Sequence, residues 1–454
     1  MTPRFRTVLL ILAAAAALAA GLRAALSAGP AGDFLRYDRA GTMVWKGESS
    51  HLYDDAFPVW NDPSLKEGMR YRYAPGLAVA LSPMGGLPPR TAWVLWSAAC
   101  GALVAAGAGI AVALAVRRLP PGGAVWIPAA AVVPLAALYL ENVKLGQMNC
   151  WAFGLSLGAL FALDRGRDRT AGLLAAGATL AKHVPILIVL WFLWKRRWKA
   201  AFWGLGGILV LAYLLPTAVL GPAAHHALLG QWKGQENSLV TEVDEAPGMK
   251  VTGAGEHVEG QSLKALLYRH LTPTGFRHLR EDSADALSKG KVRPGILVNG
   301  GRAWDPKVVF WLWLASMFLV LSVTVFATNP EPGDGDAHRR TPLEASMVLA
   351  AMLLVSPESR NPHFQMLAPA LAALAAGLAA EVSRGGSWWG RAGLAAAGAL
   401  LVGISTQGIL GRSGADHALA RGSIGFGGLL VFLAVAWTLF RERGSPPPAA
   451  APAP

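Results

Sequence analysis

Hydrophobic positions along the chain fall into long, nearly uninterrupted blocks, while polar positions gather in short turns and two long loops. A block of about 20 apolar residues is enough to cross a bilayer as a helix. Runs at 7–27, 91–116, 124–140, 147–163, 171–183, 184–194, 200–220, 307–327, 343–356, 363–381, 391–410 and 422–440 read as spanning or half-spanning segments. The pattern predicts an all-α polytopic membrane protein with about 12 transmembrane helices.

The segment Ala171 to Trp194 departs from a simple crossing. Basic clusters flank it on both sides, Arg165 to Arg169 and Lys195 to Lys199. If both clusters are cytoplasmic, the chain enters the membrane and returns between them. Two short arms must then turn near Lys182-His183-Val184-Pro185, where Pro185 breaks the helix. A polar turn at membrane depth is tolerated only where protein buries it or water reaches it.

The same bookkeeping predicts both termini on the cytoplasmic side. It sends five polar pieces to the opposite face: the loops 28–90 and 221–306 and the turns near 141–149, 182 and 356–363. Convergence of these pieces predicts a shared extracytoplasmic cavity. Within the first loop, Pro75 to Pro89 is apolar but short and interrupted by Pro83, which fits a juxtamembrane helix rather than a crossing. Within the second, Leu263, Leu266, Leu267 and Leu271 follow helical spacing. The chain reads as a single membrane domain over 1–444 with a disordered Pro/Ala-rich tail at 445–454. Residues 1–26, basic and then Ala/Leu-rich, read as a retained first helix. The rival reading is a signal peptide cut near Leu26-Ser27-Ala28.

Composition supports the membrane reading: 53% of residues are hydrophobic and 15% charged. The net charge of +13 sits in clusters beside the apolar runs, among them Arg117-Arg118, Arg339-Arg340 and Arg441 to Arg443. That placement is topological, and it excludes nucleic-acid binding as the reason for the basic balance. It fits a bacterial inner membrane. Cys100 and Cys150 both lie inside apolar runs, as small buried thiols do. His225-His226 and the acidic stretch Glu242 to Glu245 lack ligand spacing and read as solvated loop. No metal site and no cofactor is expected.

Several short motifs recur in a fixed order. They are Asp33-Phe34 with Tyr37 and Ala40-Gly41, Gly47, Leu52-Tyr53, Tyr73-Ala74-Pro75, Pro83 and Leu87-Pro88. Gly146-Gln147-Met148-Asn149, Lys182 with Pro185, Gln261-Ser262-Leu263 with Arg269, and Ser356-Pro357 with Ser359 and His363 continue the series. This ordered set resembles glycosyltransferase family 87, also called DUF2029, which includes polyprenol-phosphate-mannose-dependent mannosyltransferases. The family often has Tyr-Pro-Pro where this chain has Tyr73-Ala74-Pro75. It often has an aromatic and paired histidines where this chain has Arg360 and His363-Phe364. The resemblance implies a GT-C fold, a polyprenyl-phosphate sugar donor, a glycan or glycolipid acceptor, and an aspartate of the first extracytoplasmic loop as catalytic base. Matched by position, that aspartate is Asp33.

Transfer from a lipid phosphate requires a base for the acceptor hydroxyl and cations for the departing phosphate. Asp33 directly follows the first apolar run and is the candidate base; a helix-end carboxylate or a partner for Arg36 is the structural alternative. Asp38, five residues on, points elsewhere on a helix and reads as structural. Lys182 in its apolar hairpin needs an ionic partner, either a lipid phosphate or Glu141. His363 and Arg360, before a helix, could contact phosphate or a sugar hydroxyl, or His363 could cap that helix. Arg72 offers a guanidinium to phosphate, flanked by Tyr71 and Tyr73, which either stack on a sugar or form an interfacial belt. Tyr37, Glu141, Gln147 and Asn149 are candidate cavity-lining groups, with helix capping the favoured role for the two amides.

The leading functional reading is an inverting, membrane-bound transfer of a hexose such as mannose, on the extracytoplasmic face. A lipid-linked sugar transporter or flippase is the rival, since broken helices also build substrate passages. A non-catalytic assembly subunit is the third reading.

Overall fold

A computed structural model of the chain describes residues 32–54, 57–61, 71–119, 123–241, 260–272, 304–329 and 337–443, and isolated positions at 19, 23, 26, 27, 29, 30 and 298. The predicted first helix at 7–27 lies almost wholly outside these residues, as do the acidic stretch 242–245 and the tail 445–454. Among the described residues the named elements are helices, joined at one point by an isolated antiparallel bridge between Gly260 and Arg360.

Among the described residues, six helices are long and apolar enough to cross a membrane: Pro89–Val116, Trp126–Leu145, Trp198–Leu220, Pro306–Ala327, Asn361–Val382 and Ser423–Arg443. Shorter apolar helices run at Asn149–Asp164, Thr341–Val355 and Trp389–Ile404. The protein is therefore an integral membrane one, all-helical among the described residues. Large apolar side chains such as Phe202 (71% exposed), Phe318 (72%) and Trp311 (68%) cover the outer flanks of the long helices. Outward apolar surface of this kind suits lipid rather than water.

Between the helices, small residues permit close approach, the usual solution where lipid provides no hydrophobic drive. Helix Asp168–Ala181 packs on Trp198–Leu209 through Gly172. A Cβ there would sit 2.3 Å from the Ala200 carbonyl oxygen, so no larger residue fits.

The hairpin expected at 171–194 is present: Asp168–Ala181 and Ile186–Trp194 flank a turn at 182–185. The backbone leaves helical geometry at Lys182, which is extended, and Pro185 precedes the second arm. In the first loop, Phe34–Trp45 and Pro75–Leu81 form short helices, the second running into a 3-10 turn at Ser82–Gly86.

Two parts differ from expectation. The run at 124–140 becomes a longer helix interrupted by a 3-10 turn at Val133–Leu135, where Pro134 cannot donate its backbone nitrogen. The polar first half of the second loop, Pro222–Thr241, is a helix. It folds back so that His225 is buried, with Nδ1 2.8 Å from Thr217 Oγ1 and its ring 5.5 Å from that of Tyr213. His225 is thus a packed histidine and not the solvated loop residue its neighbourhood predicts.

Candidate active site

Asp33 occupies the N-cap position of helix Phe34–Trp45. Its place is set from outside the helix: its backbone N–H donates to the Leu145 carbonyl at 3.1 Å. Gly32 precedes it with φ +61°, a backbone state that favours glycine, and a Cβ there would approach the same carbonyl to 2.9 Å. The Asp33 side chain makes no capping hydrogen bond and forms an ion pair with Arg36, Oδ1 to Nη2 at 2.7 Å. Burial acts against the Arg36 charge, but Asp33 beside it raises the guanidinium above its ordinary value.

The next turn of the helix presents Tyr37, fully buried, whose hydroxyl lies 2.9 Å from that of Tyr73 and accepts the Met148 N–H at 3.3 Å. Burial, with the charge of Asp33 behind it, pushes the Tyr73 phenol up to about 12. Both phenols are protonated donors at neutral pH. Tyr71, read either as a sugar-stacking or as an interfacial ring beside Arg72, is buried, with its hydroxyl on the Ala74 carbonyl at 3.1 Å. Alternation along an extended segment turns one ring inward and leaves Arg72 exposed.

Opposite this helix stands the turn at 356–360. Glu358 accepts from Arg360 Nε at 3.1 Å and also from Nη2. Burial would raise the Glu358 carboxyl, but Arg360, with Arg72 and Lys182 beyond it, holds it below the usual carboxylate range. Segment 260–272 fixes the turn in place. Gln261 N–H donates to Ser359 O at 2.6 Å and Ser262 Oγ to Pro357 O at 2.9 Å. Buried Arg269 is anchored on the carbonyls of Leu419 and Ala420, at 2.7 and 3.2 Å. Gln261, Ser262, Arg269 and Ser359 therefore position Glu358 and Arg360.

Lys182, at the hairpin turn, reaches the same place from a third direction. Its Nζ lies 2.6 Å from His363 Nε2. The charges acting on it are those of Glu358, Asp33, Arg360 and Arg36. Glu141, the alternative partner, is half-buried on helix Ala136–Leu145, and the carboxylates that reach the lysine are Glu358 and Asp33. His363 Nδ1 accepts the Arg360 backbone N–H at 3.1 Å, which closes the first turn of the 3-10 helix Asn361–Leu367.

The structure thus gathers Asp33, Tyr37, Arg72, Tyr73, Lys182, Arg360 and His363 around one charged cluster, joined by Arg36 and Glu358. Arg36 is read from the sequence only as an ion-pair partner for Asp33, which it is, and Glu358 was missed. Arg36 carried a usable signal, since it is three residues from Asp33 on the same helical face. Gln147 and Asn149 do not cap helix Asn149–Asp164, which has no side-chain cap. Asn149 donates to Gln147 Oε1 at 2.5 Å and to Asn142 Oδ1 at 3.0 Å. Asn142 in turn donates to the Pro362 carbonyl at 2.8 Å, and Gln365 to the Asn149 carbonyl at 2.9 Å. These amides stand behind His363 and brace its turn, because buried amides must find partners and the 361–367 segment provides them.

No curated protein and no solved structure matches the chain. The model of glycosyltransferase family 87 matches residues 71–273, a stretch that carries Arg72, Tyr73 and Lys182 together with Gln261, Ser262 and Arg269. Residues 71–273 therefore resemble glycosyltransferase family 87, in a chain whose apolar helices are those of an integral membrane protein.

Proposed function

We propose that the protein moves a hexose, mannose being the first candidate, from a polyprenyl-phosphate donor to a glycan or glycolipid acceptor, with inversion at the anomeric carbon. The observation that carries this reading is a pair of acids set among cations: Asp33 pairs with Arg36, Glu358 with Arg360, and Lys182 meets His363, whose Nδ1 accepts the Arg360 N–H. An acid beside clustered cations is what transfer away from a phosphate needs.

In this reading Arg36 engages Asp33 Oδ1 and orients the carboxylate toward the acceptor. Asp33 takes the acceptor hydroxyl proton as that oxygen bonds to the anomeric carbon. The bond from the anomeric carbon to the phosphate oxygen breaks, and its electron pair leaves with the phosphate, whose charge grows from −1 to −2. Lys182, Arg360 and Arg72 stabilise that growing charge, and His363 sets the position of Lys182. Tyr37 and Tyr73 offer hydroxyls to the sugar or phosphate. A single displacement from the face opposite the phosphate inverts the anomeric centre. Basic clusters beside the apolar runs support a site on the extracytoplasmic side of a bacterial inner membrane, with both termini in the cytoplasm.

Incubation of the purified protein with labelled polyprenyl-phosphate hexoses and glycolipid acceptors tests the reading. Transfer from polyprenyl-phosphate mannose and no transfer from a nucleotide sugar is the expected result. Sugar flux across proteoliposomes without any transfer would replace it with the transporter reading.

A further inference from the structure

Beside the cationic cluster lies a second group of side chains with different chemistry. His183 directly follows Lys182 in the hairpin turn, and its side chain is 57% exposed. Its Nε2 lies 3.1 Å from Glu236 on helix Pro222–Thr241. The Trp232 ring, one turn earlier on that helix, meets the imidazole edge-on with centroids 6.2 Å apart. Among the described residues, the Trp232 indole N–H has no hydrogen-bond partner. Tyr53 approaches from the first loop: burial first and the Glu236 charge second raise its phenol, and its hydroxyl donates to the Tyr73 carbonyl at 2.5 Å. The group is therefore tied to the charged cluster twice, through the chain at Lys182–His183 and through Tyr53–Tyr73.

Its chemistry does not suit a phosphate, which would face the Glu236 carboxylate. It suits a neutral polyol. Rings of Trp and His offer flat apolar faces to sugar C–H groups while leaving polar edges for hydroxyls. A carboxylate accepts hydroxyl protons in hydrogen bonds stronger than neutral ones.

We propose that His183, Trp232 and Glu236, with Tyr53 behind them, form the subsite that holds the acceptor saccharide. This rests on the transferase reading and adds to it where the acceptor saccharide binds, against helix Pro222–Thr241 and the hairpin turn at His183. The cations would hold the donor phosphate, and the aromatic group, joined to them at Lys182–His183 and Tyr53–Tyr73, would hold the acceptor.

Saturation-transfer NMR with methyl glycosides of mannose, glucose and galactose tests the subsite directly, because it needs no turnover. The measurements compare the parent protein, Trp232→Ala and the near-isosteric Glu236→Gln, with melting temperatures recorded for each. Polyprenyl phosphate binding is measured on the same samples. At least one glycoside should bind the parent and lose about tenfold or more in affinity in both variants, while polyprenyl phosphate binds all three proteins within about twofold. Absence of glycoside binding to the parent, equal affinity in Glu236→Gln, or parallel loss of polyprenyl phosphate would overturn the inference. Failure of polyprenyl phosphate to bind the parent would instead strike the donor reading, and the glycoside comparison would still report on the subsite.

Discussion

Lys182 Nζ and His363 Nε2 lie 2.6 Å apart, although 181 residues separate them in the chain. The contact joins the hairpin turn to the 3-10 helix at 361–367 and places a lysine where apolar arms would otherwise isolate it. Because His363 Nδ1 already accepts the Arg360 N–H, a neutral ring presents its Nε2–H to Lys182, a hydrogen bond that only the uncharged amine accepts; the lysine donates to phosphate once it is protonated. Lys182→Met should lower transfer by about 10²–10³-fold, the usual cost of one lost donor to a developing charge. His363→Gln, which keeps a polar group near Lys182, should cost less. Steady-state rates with polyprenyl-phosphate sugar, on protein whose melting temperature is unchanged, check both.

Glu358 neutralises Arg360 and acts on Arg72 and Lys182. Its carboxylate thus stands in for the donor phosphate among those cations. Glu358→Gln should therefore tighten binding of polyprenyl phosphate, strengthen product inhibition, and make both more sensitive to salt. Titration with polyprenyl phosphate at two ionic strengths reads this, and weaker binding in the variant would assign Glu358 a purely structural part.

Asp38 gives a pH signature separate from catalysis. Burial raises its carboxyl from 3.8 to about 6, with Arg39 only partly opposing. A raised carboxyl means the folded state holds the proton more firmly than the unfolded one. The ionised form is then penalised in the fold, by at most about 3 kcal/mol at 1.36 kcal/mol per unit and by less once solvent screens this half-buried group. The penalty is absent below pH 4 and complete above pH 6. Asp38→Asn should match the parent's melting temperature at pH 4 and exceed it increasingly between pH 4 and 7.

The amide group behind the site is expected to matter for stability first. Asn142→Ala removes the donor to the Pro362 carbonyl and one of the two acceptors of the Asn149 amide, at a cost of about 1–3 kcal/mol for the buried group left unpaired. A lower melting temperature, with residual activity falling as the 361–367 turn loosens, is the expected outcome.

What the sequence disclosed follows from local physics. Pro185 between two basic clusters was enough to locate the hairpin, because charge asymmetry and a proline break act over a few residues. The Asp33–Arg36 pair was legible from three-residue helical spacing just after an apolar run. Glu358 was not, since its importance comes from Arg72 and Lys182, far away in the chain. The same holds for Gln147 and Asn149, whose position before a helix mimics capping until Asn142 and Gln365 arrive to pair with them. Tyr71 and His225 were misread for a related reason: a polar sequence neighbourhood says little about which ring a returning helix will cover.

The most direct measurement is the rate of sugar transfer from labelled polyprenyl-phosphate mannose by Asp33→Asn, a change that keeps shape and removes the base. If Asp33 is the base, transfer falls by about 10²–10⁴-fold, with polyprenyl phosphate still bound. Transfer by the variant at the parent's rate would contradict that role.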